Sequence, residues 1–456
     1  MFDVVLVKIS KQNLKKYESR FLDPQKNNWY PLEPILLESI KSFFLERKIN
    51  SKIFDQLLDN LTTIDLIKKI NKINPKLVII DINEFYLDEL ILFKKIHSGT
   101  SIILIGNFAE LAKEKLLKDY NFIDGIVIGD YESSCYNYFV SLNSKKKVNN
   151  VFYRNFYKKC KYLELDNLPF AKREYINKNY DFAIPIFGSR GCAYANCNFC
   201  QTAAVIKKSR CENISFKSIP KIISEIKEIV RTYNKNNFTF IDDCFFDYIN
   251  IDNRITELTT QIKKNNLSIS FLLNMRIDQV NFSRLKKLKE AGLWGIYLGI
   301  EGYNQNYLNF LNKNISKPKI MSSISICEKL GIKIIAGYIP FYREGNYKCI
   351  KENINFIKQI PGYQPGLFIN ILTPLYGTFY YDSFYSKSKN LDFKDKKVAL
   401  LYQYLEKYDF YLKNNKEYND LIDNKIFTKA LEEKYKKKHF DFVNYIFNKI
   451  EDNNDN

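Results

Sequence analysis

Gly188-Ser189-Arg190-Gly191-Cys192-Ala193-Tyr194-Ala195-Asn196-Cys197-Asn198-Phe199-Cys200 is the stretch on which the reading of the whole chain turns. Three cysteines fall within nine residues, four residues separating the first pair and two the second. A loop of that spacing can turn three thiolates inward onto one object. A tetrahedral zinc site closes with four Cys or His ligands. The nearest fourth cysteine is Cys211, eleven residues on, and no histidine lies near. A [4Fe–4S] cube held by three cysteines keeps one iron open for a further ligand.

Outward from that loop, the chain has the size and composition of a globular protein with more than one domain. Its 456 residues exceed a single ordinary core, and 46% of them are apolar. Nine unevenly scattered cysteines make no disulfide framework, which places the chain in a reducing cytoplasm. The opening Met1-Phe2-Asp3-Val4-Val5-Leu6-Val7 has an early acid and too short an apolar run for a signal peptide. No uninterrupted apolar run reaches the roughly 18 residues that a membrane span needs. The formal charge is +19, with lysines spread along helices rather than gathered in one patch. That distribution favours a solvated surface over a nucleic-acid footprint.

Residues 1–140 alternate apolar runs at 4–7, 77–82, 101–105 and 125–128 with helical patterns at 34–47, 62–71 and 109–119. The alternation predicts a doubly wound Rossmann-like sheet. A polar connector fills 141–180. A strand at 183–187 then delivers the cysteine loop, and further strands are expected at 238–241, 267–273, 295–300, 332–339 and 367–372. Six βα units over 181–390 make a partial parallel barrel, with chemistry at the C-terminal strand ends. Residues 391–456 read as a helical extension capping the open side of the barrel. Its stripes are Leu401, Leu405 and Tyr408, then Phe442, Val443, Ile446 and Ile450, and 451–456 is expected to fray.

The cysteine loop resembles that of the radical S-adenosylmethionine (SAM) superfamily, whose usual form is C-x3-C-x2-C. Here the first gap is one residue longer, which bulges the loop. The Ser-Arg-Gly-Cys lead-in is similar to that of the cobalamin-linked branch. Strand ends agree in order: Phe240-Ile241-Asp242-Asp243-Cys244, Asn274-Met275-Arg276-Ile277-Asp278, Gly299-Ile300-Glu301-Gly302, Gly337-Tyr338-Ile339-Pro340 and Thr373-Pro374-Leu375-Tyr376-Gly377-Thr378. In the first domain, Pro31-Leu32-Glu33-Pro34 and Gly129-Asp130-Tyr131-Glu132 stand where this branch has its cobalamin-domain turns, and Asp166-Asn167-Leu168-Pro169 resembles its linker.

The resemblance implies a cobalamin-binding-type domain followed by a radical SAM core. It implies a [4Fe–4S] cluster on Cys192, Cys197 and Cys200, and SAM bound near Phe199, Asp243, Arg276 and Glu301. It further implies an electron donor such as flavodoxin or ferredoxin, and a small-molecule or peptide substrate. Cobalamin stays open. No Asp-x-His-x-x-Gly occurs, so His97 has no claim as a cobalt ligand; Gly106-Asn107 is the remnant of the branch's paired glycine, and Glu33 or Pro34 replaces its helix-opening glycine. Two activities follow: a cobalamin-dependent methyltransferase, or a cobalamin-free epimerase or other peptide-modifying enzyme. In the second, Cys244 would be a hydrogen-atom donor rather than a buried small residue. Cys135, Cys160, Cys211, Cys327 and Cys349 show no spacing for a second cluster.

Overall fold

The computed structural model describes residues 2–10, 21–22, 29–30, 32–144, 146–154, 156–159, 163–176, 183–209, 214–362, 364–386, 392–415 and 429–452. Pro31, Cys160, Cys211 and residues 453–456, which figure in the expectations above, lie outside these.

The first sheet has six strands in the order Ser51–Asp55, Val4–Lys8, Leu77–Asp81, Ser101–Ile105, Gly125–Val127 and Val151–Phe152. All pairs are parallel except the last. Side chains alternate between two buried layers, as both faces of a parallel sheet require. Val5 and Val7 join Leu66, Ile67, Val78 and Leu104 on one side. Val4 and Leu6 join Leu37, Ile40, Phe44 and Ile79 on the other. The strand Ser51–Asp55 escapes the sequence pattern because, as an edge strand, it alternates buried and half-exposed residues instead of forming an apolar run. Residues 151–152 add a strand to this sheet from within the connector. The helix expected over 109–119 is two, Asn107–Leu111 and Lys113–Asp119, parted at Ala112.

The second sheet is parallel, its strands adjacent in chain order: Ile184–Ile186, Asn237–Phe240, Ser270–Met275, Leu293–Glu301 and Lys333–Tyr338. Well-capped helices return the chain between them. Ser218 accepts from the Lys221 amide ahead of Pro220, and Asn281 and Asn304 cap the helices that follow them. The expected sixth strand at 367–372 is reduced to one parallel bridge, Phe341 to Ile371. Pro365 and Gly366 lie in a 3-10 turn over Pro365–Phe368, and neither residue favours a continuous ladder.

The helices Lys396–Asn414 and Lys429–Asp452 pack together beside this unfinished edge. Tyr408 stacks on Phe442 at 4.2 Å, His439 on Phe368 at 3.8 Å, and Phe341 meets Tyr402 edge-on. Among the described residues, no helix is long and apolar enough to cross a membrane.

The two sheets are joined through a buried ion cluster. Arg173 of the connector reaches Glu33 at 3.1 Å and Glu225 of the barrel at 3.1 Å, and Glu225 also pairs with Lys217 at 2.8 Å. The Glu174 amide donates to Glu38.

Candidate active site

The cysteine loop leaves the end of Ile184–Ile186 and closes into the helix Gln201–Ser209. Its start is fixed by Asp242, at the end of the neighbouring strand, which accepts from the Gly188 amide at 2.9 Å and the Ser189 hydroxyl at 2.5 Å. Burial raises this carboxyl to about 6. The Asp-Asp pair thus divides: Asp242 is buried and builds the loop, while Asp243 is exposed beside it.

All three loop cysteines are partly exposed free thiols. The long first gap is absorbed at Ala195, which adopts φ +45° and is 4% exposed. A left-handed alanine costs backbone strain, which the surrounding contacts must hold. Here the turn brings the Tyr194 and Ala195 amides onto Cys192. A hydrogen bond from Cys244 outweighs burial and, with those amides, lowers the Cys192 thiol to about 6. Burial pushes Cys200 up to about 12 and also raises Cys197, with Lys313 and Arg276 drawing Cys197 back. Among the described residues, no three His, Cys, Asp or Glu side chains converge tightly enough for a single ion. Three soft sulfur donors within one loop are a donor set that an iron–sulfur cluster takes.

Beside Cys197 lies a cationic shelf. Arg276 follows the strand Ser270–Met275, and its Nη1 is 4.0 Å from the Cys197 sulfur. Its other donors are committed: Nε to Asp278 at 3.0 Å, and Nη2 to Asp278 at 3.1 Å and to the Lys313 carbonyl at 2.9 Å. The guanidinium also lies over the Tyr194 ring, 3.9 Å from its centroid. One face of a pre-organised cation is therefore aimed at the loop.

Glu301 ends the strand Leu293–Glu301 at a register shift, with φ +62°. It is 8% exposed and accepts from Lys313 Nζ at 2.7 Å. Gly299 makes room, since a Cβ there would sit 2.6 Å from Glu301 Oε1 and 2.7 Å from Lys313 Nζ. Lys313 was not singled out from the sequence. Its only local signal is Asn312 and Asn314 on either side, both with positive φ, which kink the chain and turn the lysine inward. Phe199 is half-buried against the barrel core.

Cys244 is 1% exposed, its sulfur 2.9 Å from the Phe246 carbonyl and within reach of Gln279. His97 lies before the strand Ser101–Ile105, at the amino edge of the first sheet, and His439 is buried between the C-terminal helices. Neither histidine is at the carboxyl edge of the first sheet. That edge carries the Lys8–Asp55 pair at 3.4 Å, Asp81 and Gly106; a Cβ on Gly106 would meet Asp81 Oδ1 at 2.9 Å.

Residues 186–357 match the Radical SAM superfamily. The uncharacterized methyltransferase PH0819 of Pyrococcus horikoshii is 23% identical over 327 residues, covering 68% of this chain and 70% of that one. The cobalamin-dependent S-adenosylmethionine radical enzyme OxsB superposes with a TM-score of 0.64 at 16% identity, over 84% of this chain and 55% of OxsB, so the chain spans just over half of that protein. The radical S-adenosylmethionine methyltransferase TsrM from Kitasatospora setae gives 0.59 at 11% identity, over 80% and 75%. Residues 186–357 thus carry a Radical SAM domain, and the fold of the chain is similar to that of the cobalamin-dependent radical SAM enzymes.

Proposed function

We propose that this enzyme is a cobalamin-dependent methyltransferase acting on a carbon of a peptide or small-molecule substrate. Cys192, Cys197 and Cys200 would hold its [4Fe–4S] cluster. The observation that carries the reading is the gathering of Arg276, Lys313 and Glu301 on the Cys197 side of the loop.

Held by these cysteines, the cluster would supply reductive cleavage of SAM, with an electron from a donor such as flavodoxin or ferredoxin, and a bound cobalamin would supply methyl transfer. The chain's own residues bind and orient. Lys313 and Glu301 form a buried cation–anion pair, which is the complement of an α-amino acid: the lysine suits a carboxylate and the glutamate an ammonium. Arg276 adds a fixed guanidinium face to the carboxylate side. Asp243, exposed beside Cys192 and Cys200, would accept from ribose hydroxyls, and Phe199 would offer an apolar surface to the adenine. The carboxyl edge of the first sheet is where a doubly wound fold receives its ligand. His97 and His439 both lie away from that edge.

The cobalamin-free alternative draws little from Cys244, whose thiol is enclosed against Cys192 and Phe246 instead of opening to a substrate. The deciding experiment is anaerobic reconstitution with hydroxocobalamin supplied. About four irons and four sulfides per chain, a corrin absorption band near one equivalent, and reductive cleavage of SAM to 5′-deoxyadenosine support the methyltransferase. Cluster and cleavage without retained corrin would overturn the cobalamin assignment. Stoichiometric zinc with no iron chromophore would overturn the cluster.

A further inference from the structure

Two carboxylates from the first domain reach across to the two ends of the cysteine loop. Glu132 opens the helix Tyr131–Ser141 and is fully buried. It takes Arg190 in a bidentate grip, Nη1 at 2.8 Å and Nη2 at 2.5 Å, two residues ahead of Cys192. Ser39 donates to the same carboxylate at 2.6 Å. Glu84, just past the strand Leu77–Asp81, accepts from Gln201 Nε2 at 2.9 Å, on the residue immediately after Cys200. Its second oxygen accepts from the Tyr376 amide at 2.8 Å, in the segment that follows the unfinished sixth strand.

Both carboxylates stand at the carboxyl edge of the first sheet, one after each of two different strands. Between them the contact is apolar: Leu111 of the first domain packs with Ala204 and Val205 of the helix behind Cys200. The loop between its grips carries the strained Ala195, so its shape depends on what holds its ends.

We infer that Glu132 and Glu84 are positioning residues for the cluster, so that the first domain sets the geometry and electrostatics of the thiolate loop in addition to any ligand it binds. The inference rests on the cluster reading above. Outer partners of metal ligands typically change affinity or activity by about 10- to 100-fold when removed. Charge near an iron–sulfur cluster also shifts its potential. Removing the Glu132 charge leaves the Arg190 cation uncompensated two residues from Cys192, which makes the cluster easier to reduce.

The test uses the full chain, reconstituted anaerobically, with iron content, the EPR spectrum of the reduced cluster, its midpoint potential and the SAM cleavage rate as readouts. Glu132→Gln is expected to keep its iron, shift the potential positive and slow cleavage about tenfold. The double variant Glu132→Gln/Arg190→Gln, with both charges gone, returns the potential toward wild type, which a purely structural defect would not do. Gln201→Ala perturbs the EPR spectrum from the other end of the loop and carries the test if Glu132→Gln fails to fold. Lys41→Ala breaks the Lys41–Glu174 pair between the first domain and the connector without touching the loop, and leaves spectrum and potential unchanged. Wild-type spectra, potentials and rates in both Glu132→Gln and Gln201→Ala would overturn the inference while leaving the cluster reading intact. A wild-type protein that loads no cluster would overturn both.

Discussion

Replacing Lys313 with methionine tests the site at its most buried charge. Lys313 and Glu301 side chains are 8% and 10% exposed, and their atoms meet at 2.7 Å. Methionine keeps most of the lysine stem but removes the ammonium, so Glu301 is left as an uncompensated carboxylate in the barrel. Breaking a buried pair from one side costs about 3–5 kcal/mol. The Glu301 carboxylate accepts from Lys313, and the strand end beside it is irregular, so the lower figure, about 3 kcal/mol, is the expected loss. Lys313→Met/Glu301→Gln removes both charges and should recover all but about 1 kcal/mol, because a neutral replacement of a buried pair comes close to break-even. The assay is urea unfolding of the apo-protein for wild type, both single variants and the double, closed as a double-mutant cycle. A coupling energy below about 0.5 kcal/mol would show that the two groups do not interact across a dry contact. The account of Lys313 as half of an amino-acid-binding pair would then fail with it.

Three further outcomes follow from the same geometry. Arg276→Ala should retain the cluster while weakening SAM binding about tenfold or more, since a charged hydrogen bond is worth roughly 1.5–3 kcal/mol; equilibrium SAM binding to reconstituted protein checks it. Burial raises the Glu132 carboxyl, but Arg190 and Ser39 more than offset this and hold it below its ordinary 4.5. Its contribution to stability is therefore present above 4.5 and lost as pH falls through the lower folded value, so Glu132→Gln should flatten the acid limb of a stability–pH curve. Gly302→Ala would drive a methyl within 2.4 Å of the Tyr307 ring. It should cost about 1–3 kcal/mol as overpacking and displace Glu301, read as a lower melting temperature together with weaker SAM binding.

The loop and the barrel order were legible because their signals are local. Cysteine spacing, apolar runs and Gly or Asn caps act within a few residues. What was not legible depended on partners far along the chain. Lys313 is one of 70 basic residues, and only the fold brings it to Glu301. Asp242 and Asp243 are adjacent and chemically alike, yet the turn that follows the strand Asn237–Phe240 buries one and exposes the other. Ser51–Asp55 was missed because edge strands lack the apolar run that identifies a central one. Residues 367–372 are apolar enough for a sixth strand but follow a Pro-Gly turn that spoils its ladder. The roles of Glu84 and Glu132 require the packing of two domains, which no window along the sequence contains.

The buried cluster around Arg173 constrains how such a protein can change over time. Its charges lie on three separate parts of the chain: Glu33 and Glu38 in the first domain, Arg173 in the connector, Glu225 and Lys217 in the barrel. Losing any one partner strands the rest without water, whereas replacing the whole set with apolar residues is close to neutral. Single substitutions are thus blocked in both directions, and the arrangement behaves as a ratchet. Whatever the first domain binds, the ion cluster ties its retention to the barrel, since its charges cannot be given up one at a time.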